Sequence, residues 1–287
     1  MVELDTSRAP VDLVDYDRAL PVFDVASYVE EFNESVMPAY RSGTADRDYA
    51  VDNGLARSVI PPGTAATRDF STLAPRIPQL IAEACVGCMA CVNACPDTAI
   101  LGTAQPRAAL QERIEAFASA GGAGRAEADA ITRDLASQFV STQKYATVPE
   151  RRGLEPADFG IFIDPTNCKG CAECVEVCAH LGHDSLVMMD KEPPTDVSAG
   201  TLEPYHRRMS FFRSLPPTPA AYRNDKALAD LMLGEHALGY VGGAGSCSGC
   251  GEATALRMLV AATRQIHGAD SMGIVAATGC NTVYGST

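Results

Sequence analysis

The chain has 287 residues, enough for about two domains, and its 23 basic against 36 acidic side chains leave a formal charge of −13. Such acidity argues against a nucleic-acid groove or an anionic membrane surface as the main partner, because both need clustered Lys and Arg. Hydrophobic residues at 46% and charged residues at 21% are ordinary globular usage, whereas 11 cysteines and no Trp suggest a protein organised partly around sites.

Residues 1–20 carry Glu3, Asp5, Asp12, Asp15 and Asp17, without the basic start and apolar stretch of a signal peptide. No apolar run approaches the ~18 residues of a membrane span. An odd cysteine count with no leader speaks against a disulfide framework, so a cytoplasmic protein keeping thiolates for metal is expected. Residues 1–75 read as an extended N-terminal arm, rich in Asp, Pro, Gly and Ser, with one short amphipathic stretch at 26–32. A structureless stretch of that length is unusual inside a compact domain and suits a covering arm or a linker.

Residues 76–190 hold two cysteine clusters. Between them Leu110, Ile114 and Phe117, then Ile131, Leu135 and Phe139, fall at helical spacing, broken by the glycines at 121–124. This predicts a helical insert over 107–141, an αα-hairpin. Short strands are predicted at 161–163 and 186–189. Six prolines (Pro193, Pro194, Pro204, Pro216, Pro217 and Pro219) mark 191–226 as a Pro-rich linker. From 227 to 287 the pattern changes to that of a second domain. Helices are predicted over 227–238 and 252–267, the latter with Leu256, Leu259, Val260 and Thr263 on one side. The apolar run 272–277 reads as a buried strand ending in a tight turn, where ligands gather in α/β folds.

The chemistry lies in the cysteines. Cys85-x-x-Cys88-x-x-Cys91-x-x-x-Cys95-Pro96 is repeated as Cys168-x-x-Cys171-x-x-Cys174-x-x-x-Cys178. This is the spacing of the two-cluster ferredoxin run, in which the fourth Cys ligates the other cluster. Three thiolates at two-residue gaps let a curled loop cap three corners of a cubane, while the fourth lies past a turn and points to the neighbouring site. Cys85, Cys88, Cys91 and Cys178 are therefore expected to hold one [4Fe–4S] cluster, and Cys168, Cys171, Cys174 and Cys95 the second. Zinc is the competing ligand chemistry, but it needs four thiolates, not two such runs. Ala179 stands where a proline usually follows the second run; that position bears no ligand. His180 and His183 read as cluster surround or surface, and His206, Arg207 and Arg208 as a small basic docking patch.

Three cysteines remain, in Gly245-Ser246-Cys247-Ser248-Gly249-Cys250-Gly251-Glu252 and Thr278-Gly279-Cys280-Asn281. A third cubane would lack one thiolate, supplied further along the chain, by another subunit or by solvent. A redox Cys pair is the alternative.

Together these stretches resemble the ferredoxin-like domain and the start of the thiamine-diphosphate domain of pyruvate:ferredoxin (flavodoxin) oxidoreductase, a 2-oxoacid oxidoreductase. The resemblance rests on residues 77–100, 163–187 and 245–285, with 62–67 similar to the segment ahead of the family's first run. It implies an α+β ferredoxin-like two-cluster domain with a helical insert, followed by an incomplete α/β thiamine-diphosphate-binding domain. It also implies that Cys247, Cys250 and Cys280 are three ligands of a cluster near thiamine, and that Glu252 and Cys280 touch the cofactor. Opening the following helix by favourable dipole placement is the alternative role of Glu252. In that family a 2-oxoacid is decarboxylated on thiamine, electrons leave singly through clusters, and coenzyme A takes the acyl group. Ferredoxin or flavodoxin is the implied acceptor, with no nucleic acid and no membrane among the partners. The G-D-G segment that would hold Mg²⁺ and the diphosphate is missing, and the 2-oxoacid and coenzyme A contacts would precede residue 1. The chain is thus expected to be a fragment or one piece of a split enzyme, inactive alone. A ferredoxin-like carrier or an iron–sulfur subunit of another complex is the alternative, and a zinc-binding interaction module a third possibility.

Overall fold

A computed structural model describes residues 30, 32–44, 47, 69–71, 74–120, 124–191, 202–224, 226–234, 246–268, 271, 272, 274, 277 and 279–281. The chain forms two units, Met1–Thr64 and Ala65–Thr287. In the first, a wide helical turn at Phe32–Val36 runs into helix α1 (Met37–Ser42), with Phe32 and Val36 buried. Part of the expected arm, 32–42, is therefore helical, while its described residues 69–71, 74 and 75 are not. Nearly all of the amphipathic stretch at 26–32 lies outside the described residues.

The second unit runs β1 (Arg76–Leu80), α2 (Ala90–Ala94), β2 (Ile100–Pro106), α3 (Arg107–Ala120), α4 (Arg125–Ala136), β3 (Phe139–Ser141), α5 (Val148–Arg151), β4 (Ala157–Ile163), α6 (Glu173–His180), β5 (Leu186–Asp190), α7 (Glu203–Ser214), α8 (Leu228–Leu231) and α9 (Gly251–His267). It is a mixed α/β arrangement with two small antiparallel sheets. In one, β1 pairs β5 from Arg76↔Asp190 to Leu80↔Leu186. In the other, the order is β2-β4-β3, with Ile100↔Ile163 at one end and Phe139↔Gly160 joining the third strand.

This topology places the two cysteine runs in equivalent positions. The first lies between β1 and β2, the second between β4 and β5, so each run leaves one sheet and enters the other. Their short helices α2 and α6 pack against each other. The last cysteine of each run ends its helix region and stands beside the other run's loop. The placing of each run's last cysteine beside the other run thus has a cause in strand pairing.

β4 is buried on both faces. Phe159, Ile161 and Ile163 point into the core that surrounds the cysteines, with Ile77, Met89, Ile100 and Leu186. Phe162 points the other way, into a second core with Leu101, Leu110, Ile114, Leu135, Met209, Phe211 and Phe212. Helices α3, α4 and α7 build that layer. Leu110, Ile114 and Ala118 recur every four residues along α3, so all three face the sheet.

Five expectations are corrected here. The helical stripe through Ile131, Leu135 and Phe139 stops early: α4 ends at Ala136 and Phe139 opens strand β3, because Phe139 gains a place against Phe162 and Phe211. The Pro-rich stretch 191–226 is not only a linker. Its α7 buries Tyr205, Met209, Phe211 and Phe212, and Pro204 sits in the first turn, where its missing N–H costs no helical hydrogen bond. Arg207 and Arg208 are no open basic patch, since Asp134 pairs with both and Glu203 with Arg207. Along α9 the buried positions are Ala253, Arg257, Val260 and Ala261, while Leu259 is 56% exposed. Of the strand expected at 272–277, the described residues 272, 274 and 277 are not in a strand. No helix among the described residues is long and apolar enough to cross a membrane.

Candidate metal centres

The eight cysteines of the two runs line two cavities. Cys85, Cys88, Cys91 and Cys178 face one, walled by Met89, Phe159, Ile161, His183 and Ser185. Cys95, Cys168, Cys171 and Cys174 face the other, walled by Pro78, Asp97, Ile100, Ile163 and Lys169. Each cavity therefore takes three thiols from one run and the last thiol of the other, the grouping expected from the spacing. His183 is a wall residue of the first cavity, whereas His180 is exposed. Among the eight, only Cys88 is exposed, so the first cavity lies at the surface.

The loops bend alike. Gly87 and Gly170, each just before the second cysteine of its run, have φ of +73° and +69°. Met89 and Ala172, just after it, have φ of +66° and +69°. Successive left-handed residues turn backbone amides inward, a concavity suited to anions. The Gly87 amide hydrogen-bonds the Cys85 sulfur and the Gly170 amide the Cys168 sulfur. Ala99 N–H donates to Cys95 Sγ and Ser185 N–H to Cys178 Sγ, both at 3.3 Å. Each of these follows a further left-handed residue, Thr98 or Asp184. A Cβ on Gly170 would lie 2.8 Å from the Arg76 carbonyl oxygen. Gly170→Ala combines this clash with a strained φ and should cost about 1–3 kcal/mol. Iron uptake should fall to half that of the wild type, with the second cavity failing first; full uptake by the variant would contradict this.

Burial, helped by neighbouring thiols, pushes the Cys85, Cys91 and Cys174 thiols above the ordinary value. Burial also pushes Cys171 up, and raises Cys168 from 9.0 to about 12, with Lys191 nearby acting in the opposite sense. The consequence for the metal-free chain has a definite sign. In the unfolded chain these thiols ionise near pH 9.0, while in the fold they keep their protons to higher pH. Between those limits the unfolded state binds fewer protons, so stability falls as pH rises. The denaturation midpoint of iron-free protein should be level from about pH 7 to 8.5 and drop above about pH 9. A midpoint level to pH 10.5 would contradict it.

The third motif docks on this core. Gly249, with φ of +71°, occupies the same place before Cys250 that Gly87 and Gly170 occupy in their loops. Cys250 N–H donates to the Cys247 carbonyl at 3.2 Å. Cys250 caps α9, its sulfur accepting from Ala253 N–H at 3.5 Å. A helix N-terminus favours a thiolate there. Glu252 lies in the first turn of α9 and is exposed, which fits helix initiation. Cys247 and Cys280 are also exposed. The described residues give no contact that draws Cys280 to Cys247 and Cys250; Gly245 and Thr278 lie outside them. Arg257, 4% exposed, reaches from α9 to the carbonyls of Val92 and Cys95, the latter at 3.0 Å.

The donor sets fit an iron–sulfur group. All eight cavity cysteines carry soft thiols, and four thiolates in one cavity repel each other unless a cationic core neutralises them. Inward amides stabilise thiolate and sulfide alike. Among the described residues no three His, Cys, Asp or Glu stand together as a site for a single metal ion. A cubane takes one thiolate per iron corner, so its ligands stand wider apart than those of one zinc.

Comparison with known proteins agrees with this chemistry. Residues 84–181 match the family described as 4Fe-4S dicluster domain. The chain is 27% identical over 272 residues to the probable pyruvate-flavodoxin oxidoreductase of Escherichia coli (strain K12), covering 91% of this chain and 19% of that protein. It is 26% identical over 287 residues to the pyruvate:ferredoxin oxidoreductase of Moorella thermoacetica, covering 94% of this chain and 21% of that one. The pyruvate-flavodoxin oxidoreductase of Nostoc is 27% identical over 227 residues, covering 78% and 16%. The chain thus spans about a fifth of the length of these relatives.

Proposed function

We propose, from this kinship to pyruvate:ferredoxin and pyruvate-flavodoxin oxidoreductases, that the chain is the electron-transfer portion of a 2-oxoacid oxidoreductase dependent on coenzyme A and thiamine diphosphate. The observation that carries the reading is the crosswise grouping of eight thiols around two cavities inside a dicluster-domain match. Cys85, Cys88, Cys91 and Cys178 would hold one [4Fe–4S] cluster and Cys95, Cys168, Cys171 and Cys174 the other. Cys247, Cys250 and Cys280 would contribute to a third, completed outside this chain. When bound, such clusters supply one-electron transfer. The residues of the chain orient and insulate: inward amides fix the sulfurs, and Phe159, Ile161 and Ile163 exclude water.

Residues 227–287 would begin a thiamine-diphosphate domain, with Glu252 and Cys280 facing the cofactor and Mg²⁺ held beyond them. The acceptor, ferredoxin or flavodoxin, would meet the first cavity, where Cys88 reaches the surface. The 2-oxoacid and coenzyme A would bind the remaining domains or subunits, and the setting would be cytoplasmic. The test is anaerobic reconstitution of the chain with iron and sulfide. About eight irons, and electron transfer from the reduced chain to flavodoxin without pyruvate turnover, are expected. CoA-dependent pyruvate oxidation by the chain alone would overturn its assignment as a part; a colourless zinc protein would overturn the chemistry.

A further inference from the structure

Asp97, Lys169 and Ser246 are not cysteines of any run, yet three separate segments bring them together. Asp97 follows Cys95, Lys169 fills the first gap of the second run, and Ser246 precedes Cys247. Lys169 Nζ lies 3.1 Å from Asp97 Oδ1, with the two side chains 10% and 2% exposed. It also donates to the Ser246 carbonyl at 3.2 Å and to the Ser246 hydroxyl. That hydroxyl stands 3.5 Å from Asp97 Oδ1. Asp97 and Lys169 are both wall residues of the second cavity.

The loop they hold also touches a thiol of that cavity. The Gly249 amide hydrogen-bonds the Cys171 sulfur. A Cβ on Gly249 would lie 2.7 Å from Glu173 Oε1, so the loop sits closely on the start of α6. Thr254 Oγ1 donates to the Ala94 carbonyl at 3.4 Å, which ties the first turn of α9 to α2. A buried ion pair is weak evidence for stability, since desolvation offsets its attraction, but it fixes register well.

We propose that Lys169 and Asp97 are positioning residues that hold the Cys247–Cys250 loop against the second cavity and bias the reduction potential of the cluster there. Reduction adds one negative charge. A buried ammonium favours that charge and a buried carboxylate opposes it, and low local dielectric leaves both effects strong. The amide of Gly249 on the Cys171 sulfur acts in the same sense as the ammonium.

This rests on the two cavities holding [4Fe–4S] clusters, and the experiment separates the two claims. The reconstituted full-length chain is titrated potentiometrically and followed by electron paramagnetic resonance, giving two midpoint potentials. In Lys169→Met one midpoint should fall and the other stay. In Lys169→Arg both should stay near wild type. In Asp97→Asn the midpoint that fell should rise. That midpoint should be the one missing when Cys95 and Cys168 are both replaced by Ala. Opposite signs distinguish charge from simple loosening of the loop, which would move both variants the same way. If Lys169→Met takes up no iron, the other two variants carry the test. Both midpoints moving together, neither moving, or Asp97→Asn lowering the potential would overturn the proposal. A wild-type chain that binds no clusters would instead overturn the reading beneath it.

Discussion

Replacing Cys95 and Cys168 together by Ala should leave about four irons per chain, whereas replacing Cys95 and Cys178 together should leave almost none. Both variants remove one thiol from each run, so they are matched in chemistry and in number of changes. They differ only in how the thiols are grouped. Cys95 and Cys168 line one cavity, so their joint loss spares the set of Cys85, Cys88, Cys91 and Cys178. Cys95 and Cys178 line different cavities, so their loss breaks both sets. If each run instead held its own cluster, the first pair would empty both sites just as the second does. Iron and sulfide analysis, with spin quantitation of the reduced protein, reads the difference directly.

Phe162→Ala should cost about 3–5 kcal/mol of stability, the range for deleting a large buried aromatic. Phe162 is 1% exposed. Its ring meets Phe139 edge-on at 5.5 Å and Phe212 at 5.2 Å. These contacts lie on the helical side of β4, so the loss should appear in the urea midpoint while the iron content at low urea stays at the wild-type level. Phe159, on the other face of the same strand, lines the first cavity and stacks on Tyr145 at 5.0 Å. Phe159→Ala should therefore lower both stability and iron content. Equal iron loss in the two variants would contradict the assignment of faces.

The two cysteine runs were legible because the chemistry is carried by residue type and spacing, and both survive in one dimension. The strands at 157–163 and 186–190 were legible in part, from short apolar runs. What escaped was set by partners far along the chain. Phe139 reads as one more turn of helix until Phe162 and Phe211 are in place to receive it. The prolines around α7 hide the Tyr205, Met209 and Phe212 spacing, although that spacing was present to be counted. Arg257 looks like an ordinary surface arginine of a helix, yet it reaches buried carbonyls at Val92 and Cys95. The pairing of Lys169 with Asp97 gave no sequence signal, since an ion pair across 72 residues has no local pattern. Cys-x-Gly-Cys occurs three times, at 85–88, 168–171 and 247–250, and in all three the glycine is left-handed.

Eight thiols, grouped crosswise, are proposed to hold two electron-carrying iron–sulfur clusters. Iron, acid-labile sulfide and zinc should be measured together on the anaerobically reconstituted wild-type chain, with the electron paramagnetic resonance spectrum of the reduced form. About eight irons, a matching amount of sulfide and two reducible centres per chain are the expected result. Zinc without sulfide, or a protein with no reducible centre, would contradict it.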